Sequence, residues 1–174
     1  MNLDFVEKVI SLDFFLDAST AVLKNSFNKF KNSRIMRVET FSLSQEILEK
    51  YTGKAALLLF FNYGEMSAEL MAKERKIRNK NYVGIIKEFT EFAEQRKWIK
   101  MKSLKLSEDS AILTCEWTLQ SKNHSIKNYC VCSFIEGFIK KILSYSEYKG
   151  FLCNEVKCLA RGDDCCEFRI KKQN

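Results

Sequence analysis

Proline is absent from this 174-residue chain, and glycine occurs only six times. With no proline, no Gly/Ser-rich stretch and no internal repeat, nothing in the sequence marks a linker between domains. A chain of this length fits within one hydrophobic core, so we predict a single domain over residues 1–174. Within it we predict an N-terminal helical segment at residues 1–35 and the main core at residues 39–172.

Long apolar runs are also absent, since the longest is the short stretch at residues 55–61. A membrane-spanning helix needs about 18 such residues, so we expect no membrane span. The opening residues MNLDFVEKVISLDFF interleave acidic with apolar side chains, unlike a secretion signal, and we therefore expect a cytoplasmic protein. The net charge is +7, but the basic run at residues 73–80 lacks interleaved aromatic residues, so we expect no nucleic-acid partner.

Histidine, the commonest general acid or base, occurs once, as His124 in a polar stretch at residues 120–127 that is typical of a loop. Acid–base chemistry without it would need carboxyl groups with perturbed pKa values, and we predict Glu116 and Glu136 on solvated faces of a strand and a helix. The glycine spacing of a phosphate-binding loop is missing as well. We therefore predict that the protein is not an enzyme.

The first half of the chain contains patterns for two helices and a strand. Ser42 and Gln45 fit a capping box that begins a helix, and Gly53 fits the left-handed residue that ends it. Its buried stripe is predicted to be Ile47, Leu48 and Tyr51. Residues 55–63 (AALLLFFNY) favour a strand covered on both faces, although periodicity alone does not exclude a buried helix. After the basic run, helical spacing predicts a helix of about four turns with the buried stripe Val83, Ile86, Phe89, Phe92 and Ala93.

The second half contains patterns for strands and one strongly amphipathic helix. Residues 104–106 and 110–119 predict two strands joined at residues 108–109, with a core-facing set of Leu113, Cys115, Trp117 and Leu119. Residues 133–145 predict a helix whose apolar side carries Phe134, Ile135, Phe138, Ile139 and Ile142. Residues 151–160 and 166–170 flank the turn sequence RGDD and predict a hairpin. Helices and strands in separate groups indicate the α+β class.

Cysteine is abundant, with seven residues, and a reducing cytosol favours metal binding or thiol chemistry over disulfides. Cys158 and Cys166 lie four residues to either side of Gly162, so a hairpin turning there brings both thiols together across the two strands. Glu155 lies at an odd offset from Cys158, so it can join them only at a bulge or at an irregular strand end. Cys132 directly precedes the amphipathic helix, where the helix dipole favours a thiolate.

These four residues form a candidate metal site. Three thiolates and one carboxylate give Zn²⁺ a closed tetrahedral shell with no open position for water. We therefore predict a structural zinc site made by Cys132, Glu155, Cys158 and Cys166. Lys157, Arg161 or Arg169 could offset the excess negative charge. The alternative is that these cysteines are simply small buried residues.

The same residues carry a family resemblance. The spacing C-x22-E-x2-C-x7-C and the closing hairpin EVKCLARGDDCCEF resemble the 4-vinyl reductase domain family, whose sequences end in E-x-x-C-x-x-x-G-D-x-x-C-x-F. The match includes Gly162 and Asp163 as a structural turn, and Gly137 falls at a family glycine. The resemblance implies that residues 39–172 form the core of such a domain, a twisted antiparallel sheet packed on helices like that of vesicle-tethering (TRAPP) subunits and often dimeric. It implies the same four zinc ligands.

The family includes the aromatic sensors of phenol- and xylene-responsive transcription activators, and this resemblance implies the function. We expect a regulatory domain that senses or binds a hydrophobic or aromatic small molecule, forms a homodimer or contacts a regulatory protein, and contains structural zinc. This chain lacks the aligned His and Trp pair of the phenol pockets, so the ligand stays unassigned. Candidate pocket residues, which core packing would also explain, are Phe60, Trp117, Tyr129, Phe134 and Phe138. The alternatives are a thiol redox sensor using Cys130, Cys153 or Cys165, and a reductase of vinyl groups.

Overall fold

A computed structural model of the chain describes residues 38–75, 77, 79–148 and 150–173. All of them fall within the unit Arg37–Asn174. The helical segment predicted at residues 1–35 lies outside the described residues, so the single-domain prediction for residues 1–174 stays a prediction.

The described residues form an α+β fold, as predicted. The helices are α1 (Val38–Thr52), α2 (Ala55–Arg75), α3 (Tyr82–Gln95) and α4 (Ser133–Leu143). The strands are β1 (Ile99–Leu106), β2 (Ser110–Thr118), β3 (Phe151–Lys157) and β4 (Cys166–Lys172), and a short 3₁₀ turn covers Leu159–Arg161. The strands form one antiparallel sheet in the order β1-β2-β4-β3. Among the described helices, none has the length and apolar character needed to cross a bilayer.

Helix α1 begins earlier and turns a different face inward than the sequence predicts. Because the helix already starts at Val38, Ser42 lies buried inside it and the predicted capping box is wrong. The predicted stripe is also wrong, since Ile47 is 50% and Tyr51 84% exposed, whereas Phe41, Gln45 and Glu49 are buried. The prediction failed because two of these three inward side chains are polar. The helix does stop at Gly53, which has φ +60°.

The segment predicted as a strand at residues 55–63 is the first half of helix α2, so that prediction is wrong. The run is rich in Ala and Leu, which favour helices, and it contains no β-branched residue. Gly64, the residue after this run, lies at a helix crossing: a Cβ atom there would lie 2.1 Å from the Phe134 carbonyl oxygen of α4. Gly137 of α4 repeats the arrangement, with its Cβ position 2.1 Å from the Phe61 carbonyl oxygen. The two glycines therefore let α2 and α4 touch backbone to backbone.

Helices α3 and α4 form where they were predicted, but Val83 of the predicted α3 stripe is only half-buried, and Tyr82 and Ile85 are buried instead. The Asn81 side chain caps α3 by accepting a hydrogen bond of 2.8 Å from the Gly84 N–H. Helix α4 lies between α2 and β3 and also contacts α3, while α3 packs on β1. Its predicted apolar side is buried: Phe134, Ile135, Phe138, Ile139 and Ile142. This helix is the centre of the core, since it contacts both the outer helices and the sheet.

The β1–β2 hairpin is present, and β1 starts earlier than predicted, at Ile99. Leu113, Cys115 and Leu119 face the core as the alternation predicts. Between Cys115 and Thr118 the alternation breaks, so Thr118 is buried and Trp117 lies partly exposed under the Lys122 ammonium, 4.4 Å from its ring centre. This break places the Thr118 hydroxyl inside the molecule.

Candidate metal centre

The start of α4 and the β3–β4 hairpin bring the four predicted ligand residues together. Cys132 is the N-cap of α4, Glu155 lies near the end of β3, and Cys166 begins β4. Cys158 follows β3 directly, before the 3₁₀ turn. One ligand atom from each residue lies within 4.8 Å of the others. The cluster is therefore compact enough for all four side chains to bind a single ion.

A β-bulge turns Glu155 toward the thiols. Glu155 pairs with Phe168, and the next pair along the ladder is Lys157 with Glu167, so Val156 is an extra residue on β3. An odd spacing in a regular strand would place Glu155 and Cys158 on opposite faces. The extra residue reverses that phase, so of the two possibilities that the sequence left open, a bulge or an irregular strand end, the structure has the bulge.

The turn after β3, rather than a cross-strand pair, positions Cys158. The predicted pairing of Cys158 opposite Cys166 is not formed, because Lys157 is the last paired residue of β3. Gly162 has φ +94°, and the Asp163 carboxylate accepts a bond of 2.7 Å from the Cys158 N–H. Arg161 holds the same carboxylate at 2.8 Å. The two residues predicted as a structural turn, Gly162 and Asp163, thus lie in the turn that orients this thiol.

The distances between the sulfur atoms match a tetrahedral metal centre. The Cys132 Sγ lies 3.8 Å from the Cys158 Sγ and 3.8 Å from the Cys166 Sγ. A tetrahedral ion with zinc–sulfur bonds of about 2.3 Å separates its sulfur ligands by about 3.8 Å. This spacing is too long for a disulfide, and all seven cysteines of the chain are free thiols.

The Glu155 carboxylate has one oxygen that accepts a hydrogen bond and one oxygen with no hydrogen-bond partner among the described residues. Its Oε2 accepts a hydrogen bond of 2.9 Å from the Cys132 N–H. Its Oε1 is buried and has no hydrogen-bond partner among the described residues. A buried carboxylate oxygen without a partner is costly, and a cation between Oε1 and the three sulfurs would remove that cost. The residues present therefore fit a metal ion.

Hydroxyl and amide groups surround the sulfur atoms. The Thr118 hydroxyl lies 3.1 Å from the Cys132 Sγ, and the Cys166 thiol donates to the Ser121 hydroxyl at 3.3 Å. The backbone of Val131 also lowers the pKa of the Cys158 thiol. Polar groups around metal-bound thiolates disperse their charge and orient them. The sequence argument missed Thr118 and Ser121 because the break in the β2 alternation is a property of the folded sheet.

The thiols also interact with one another. Hydrogen bonds from Cys132 and Cys166 lower the pKa of the Cys158 thiol to about 2. Burial raises the pKa of Cys132 well above its ordinary value, and burial likewise raises the pKa of the Glu155 carboxyl. Without a cation the cluster therefore keeps one thiolate stabilised by two neighbouring thiols, and the burial cost holds the other protons in place. A divalent cation would replace these protons.

The three cations expected to balance the cluster bind acidic partners elsewhere on the hairpin. Each is within 3.5 Å of a carboxylate: Lys157 with Asp164 at 3.5 Å, Arg161 with Asp163 at 2.8 Å and Arg169 with Glu167 at 3.0 Å. The N–H groups, the hydroxyls and the N-terminal end of α4 are the groups that face the sulfurs instead.

Phe60, Phe134 and Phe138, three of the five candidate pocket residues, belong to one aromatic cluster. The cluster contains rings from all four helices together with Trp98. Phe134 lies 5.1 Å from Phe41 and 5.3 Å from Trp98, and Phe138 lies 5.4 Å from Trp98. Phe60 joins at the edge, 5.1 Å from Phe41. The further members are Tyr63, Phe89 and Phe92.

The other two candidates lie apart from this cluster. Trp117 stacks under Lys122, as described above. Tyr129 lies under Lys54, with the ammonium 4.8 Å from its ring centre, and donates a hydrogen bond of 3.0 Å to Glu49. Within the described part of the chain, neither ring makes a ring contact with the aromatic cluster.

A buried polar network lies beside the start of α4, and sequence reasoning missed it. His124 is in a loop, as predicted, but its ring is buried, with Nε2 3.3 Å from Glu49 and Nδ1 2.9 Å from the Ser125 carbonyl oxygen. Gln45 and Gln120 extend the network toward Val131. The only trace in the sequence was the presence of polar residues in place of the apolar residues expected on α1.

The cysteines outside the metal centre are poor candidates for redox chemistry. Burial raises the pKa of Cys130 to about 12, and burial also raises the pKa of Cys153 and of Cys165. Redox-active cysteines react as thiolates, which a raised pKa disfavours. The described geometry therefore counts against the redox alternative.

No protein-family model matches the sequence, and no curated protein matches it. Solved structures do match. The phenol-responsive sensory domain of the transcription activator PoxR, solved with phenol, has a TM-score of 0.62 and 16% identity over 79% of this chain and 75% of that one. An H-NOX protein from S. oneidensis in its Fe(II)NO state has a TM-score of 0.56 and 12% identity over 82% and 79%.

A vinyl-4-reductase family protein from Methanocaldococcus jannaschii has a TM-score of 0.47 and 19% identity over 83% of this chain and 86% of that one. The fold assignment rests on the two higher-scoring structures. The chain therefore has a fold similar to that of the PoxR sensory domain.

Proposed function

We propose that this protein is a regulatory domain that senses a hydrophobic or aromatic small molecule and contains one structural zinc ion. One observation carries the proposal. Helix α4 begins at Cys132, a member of the metal-ligand cluster, and carries Phe134 and Phe138 in the aromatic cluster within its first two turns. A ligand among the rings and an ion at the thiols would therefore act on the same helix.

The donor set favours zinc and a structural role. Zinc accepts thiolate and carboxylate ligands in a tetrahedral shell, and soft thiolates disfavour magnesium and calcium. Bound zinc would supply a cross-link between the start of α4 and the β3–β4 hairpin. Four protein ligands leave no position for a reacting water, so we propose no catalytic role for this centre. A cytoplasmic location would keep the thiols reduced.

The aromatic cluster supports the class of ligand. Phe134 and Phe138 are 2% and 0% exposed, so a ligand would enter only by displacing rings that α1 and α2 contribute. An aromatic compound could replace the edge-to-face contacts that those rings give up. The fold likeness to a sensory domain solved with phenol supports the same class. Ligand entry would then shift α1 and α2 against α4, which is a change that another protein surface can detect.

We propose that the outer face of α1 and α2 pairs with a second copy of the chain. The exposed apolar side chains of these two helices support this proposal: Leu43, Ile47, Tyr51, Leu58, Met66 and Leu70. A homodimer through these helices would transmit a shift in one subunit directly to the other. Sedimentation velocity of the wild type and of Tyr51→Lys tests this, with a monomeric wild type as the contrary result.

The metal proposal is tested by elemental analysis of purified protein. We expect one zinc per chain in the wild type and a large loss of zinc in Cys158→Ser. Cys153→Ser is the matched control, because it removes a buried thiol from the same hairpin outside the cluster. Zinc retained by Cys158→Ser, or lost equally from both variants, would contradict the proposal.

The ligand proposal is tested by thermal unfolding with phenol, alkylphenols and palmitate. A compound at about 100 times its Kd adds about 2.7 kcal/mol to the stability of the folded state. We expect at least one aromatic compound to raise Tm, Phe134→Leu to abolish that rise, and Trp117→Leu to keep it, because Trp117 lies outside the aromatic cluster. If no compound raised Tm at millimolar concentration, the ligand-sensing proposal would be contradicted.

A further inference from the structure

Helix α4 begins at a residue that cannot cap it. An N-cap side chain normally accepts a hydrogen bond from the second or third N–H of its helix. Cys132 occupies the N-cap position of α4 but makes no side-chain capping bond to any described residue. Its sulfur faces Cys158 and Cys166 instead. The Ile135 N–H reaches the Cys132 carbonyl oxygen at 3.0 Å, but the Phe134 N–H of α4 needs another acceptor.

Gln120 provides that acceptor. Its side-chain oxygen accepts a bond of 3.0 Å from the Phe134 N–H and one of 3.3 Å from the Ile135 N–H. These are the N–H groups that an ordinary N-cap residue would satisfy. The Gln120 side chain is fully buried, at 0% exposure, so these bonds do not compete with solvent. A residue twelve positions before the N-cap thus performs the capping.

The other end of the Gln120 amide fixes its orientation. Its Nε2 donates 2.7 Å to the Val131 carbonyl and 2.6 Å to the Gln45 Oε1 of α1. Gln45 in turn donates to the same Val131 carbonyl at 2.9 Å. Rotating the Gln120 amide by half a turn would place its NH₂ group against the N–H groups of α4, and its oxygen against the Val131 carbonyl oxygen and the Gln45 Oε1. The network therefore admits one orientation and holds the backbone on both sides of Cys132.

We propose that Gln120 is a positioning residue for the metal centre, which caps α4 so that the Cys132 thiol is free to bind metal, and that Gln45 anchors it to α1. This inference rests on the proposed metal site. The Val131 carbonyl, directly before Cys132, is held by both amides. The Cys132 N–H, one residue later, donates to the Glu155 carboxylate. The backbone that Gln120 holds thus contacts another member of the cluster, Glu155.

The anchor also joins the two parts of the proposed sensor. Gln45 lies one helical turn after Phe41, whose ring lies 5.1 Å from that of Phe134. A displacement of α1 at the aromatic cluster would therefore pull on Gln120 and on the start of α4. The network provides a physical route by which ligand binding and metal binding affect each other.

The test compares zinc affinity, measured by competition with a chromophoric chelator, in the wild type, Gln120→Met and Asn81→Ala. Met has a similar length but neither donates nor accepts at this position. We expect Gln120→Met to bind zinc about 10 to 100 times more weakly, the range typical of lost outer-shell contacts. Asn81→Ala removes the cap of α3 and should lower Tm without changing zinc affinity. A Gln120→Met affinity equal to wild type, or an equal weakening in Asn81→Ala, would overturn the inference.

A second variant keeps the test decisive if Gln120→Met does not fold. Gln45→Met removes the anchor and leaves the cap, so we expect a smaller weakening of zinc binding in the same direction. In that case Gln45→Met decides alone, and wild-type affinity in it would overturn the inference. A wild-type chain that takes up no zinc would overturn the proposed metal site as well, whereas normal zinc uptake with no effect of these variants would overturn only the role of the amides.

Discussion

The crossing of α2 and α4 gives the sharpest prediction about stability. In Gly137→Ala the added methyl group would lie 2.1 Å from the Phe61 carbonyl oxygen and 2.9 Å from its carbonyl carbon. Both are backbone atoms within α2, so no side chain can rotate away to make room. The helices would have to separate by about 1 Å to reach an allowed contact distance. That separation would loosen the packing of Phe134 and Phe138, which project from α4 on either side of the glycine.

Two effects of this substitution oppose each other. Replacing a glycine inside a helix by alanine stabilises it by about 0.5 to 1 kcal/mol. Forcing an extra carbon into a packed contact costs about 1 to 3 kcal/mol and occasionally more. Because the clash is with backbone atoms, we expect the packing cost to lie at the upper end of that range. The free energy of unfolding should then fall by about 1 to 3 kcal/mol, and Tm should fall by about 2 to 4 °C for each kcal/mol.

The measurement is urea and thermal unfolding of Gly137→Ala beside Gly84→Ala. Gly84 also lies in a helix, but its Cβ position meets the Cγ and Cβ atoms of Asn79, an exposed residue of the preceding loop, rather than the backbone of a packed helix. We expect Gly84→Ala to cost less, because an exposed loop can shift more easily than two packed helices can separate. The double variant Gly64→Ala/Gly137→Ala should lose less than the two single losses combined, because one separation relieves both clashes. If Gly137→Ala were as stable as the wild type, the close crossing of these helices would be wrong.

Three further predictions concern the thiols and the metal. Chelation should lower the Tm of the zinc-loaded protein, and added zinc should restore it, whereas a Tm unaffected by chelation would contradict a structural ion. Glu155→Gln should weaken zinc binding by more than about 100-fold, the upper end for outer-shell changes, while Glu167→Gln, on the next strand, should not, as chelator competition would show. Because burial raises the pKa of Cys130 from 9.0 to about 12, its thiolate fraction at pH 8 falls by about 1000-fold, so mass spectrometry should find its alkylation by iodoacetamide slowed to that degree. Rapid alkylation at Cys130 would bring the redox alternative back.

The cluster of candidate metal ligands was predictable because it lies on one hairpin and at the start of the helix that precedes this hairpin. The hairpin brings Cys158 and Cys166 together over a short loop, and the position of Cys132 follows from an amphipathic pattern that only a helix fits. The odd spacing of Glu155 required either a bulge or an irregular strand end, and the structure has the bulge. Each inference needed only the local rules of strand and helix geometry.

The failures arose where distant segments decide the local structure. The run at residues 55–63 is apolar on all sides, so only its packing against α4 distinguishes a helix from a strand. The inward face of α1 is set by Gln45 and Glu49, whose partners lie more than 70 residues away. The role of Gln120 depends on its contact with the first turn of α4, and no residue pattern around Gln120 predicts that contact.

Because Val156 is an extra residue on β3, the ligand cluster depends more on the number of residues at this end of the strand than on their identity. Many substitutions along β3 would leave its pairing with β4 intact. Adding one residue between Glu155 and Cys158, with the bulge kept, would preserve a hairpin with nearly the same number of paired residues, yet the carboxylate would move to the opposite face of the hairpin from the sulfurs. Relatives that bind metal in this way should therefore vary freely in the identity of the residues between this glutamate and the next cysteine while keeping their number constant.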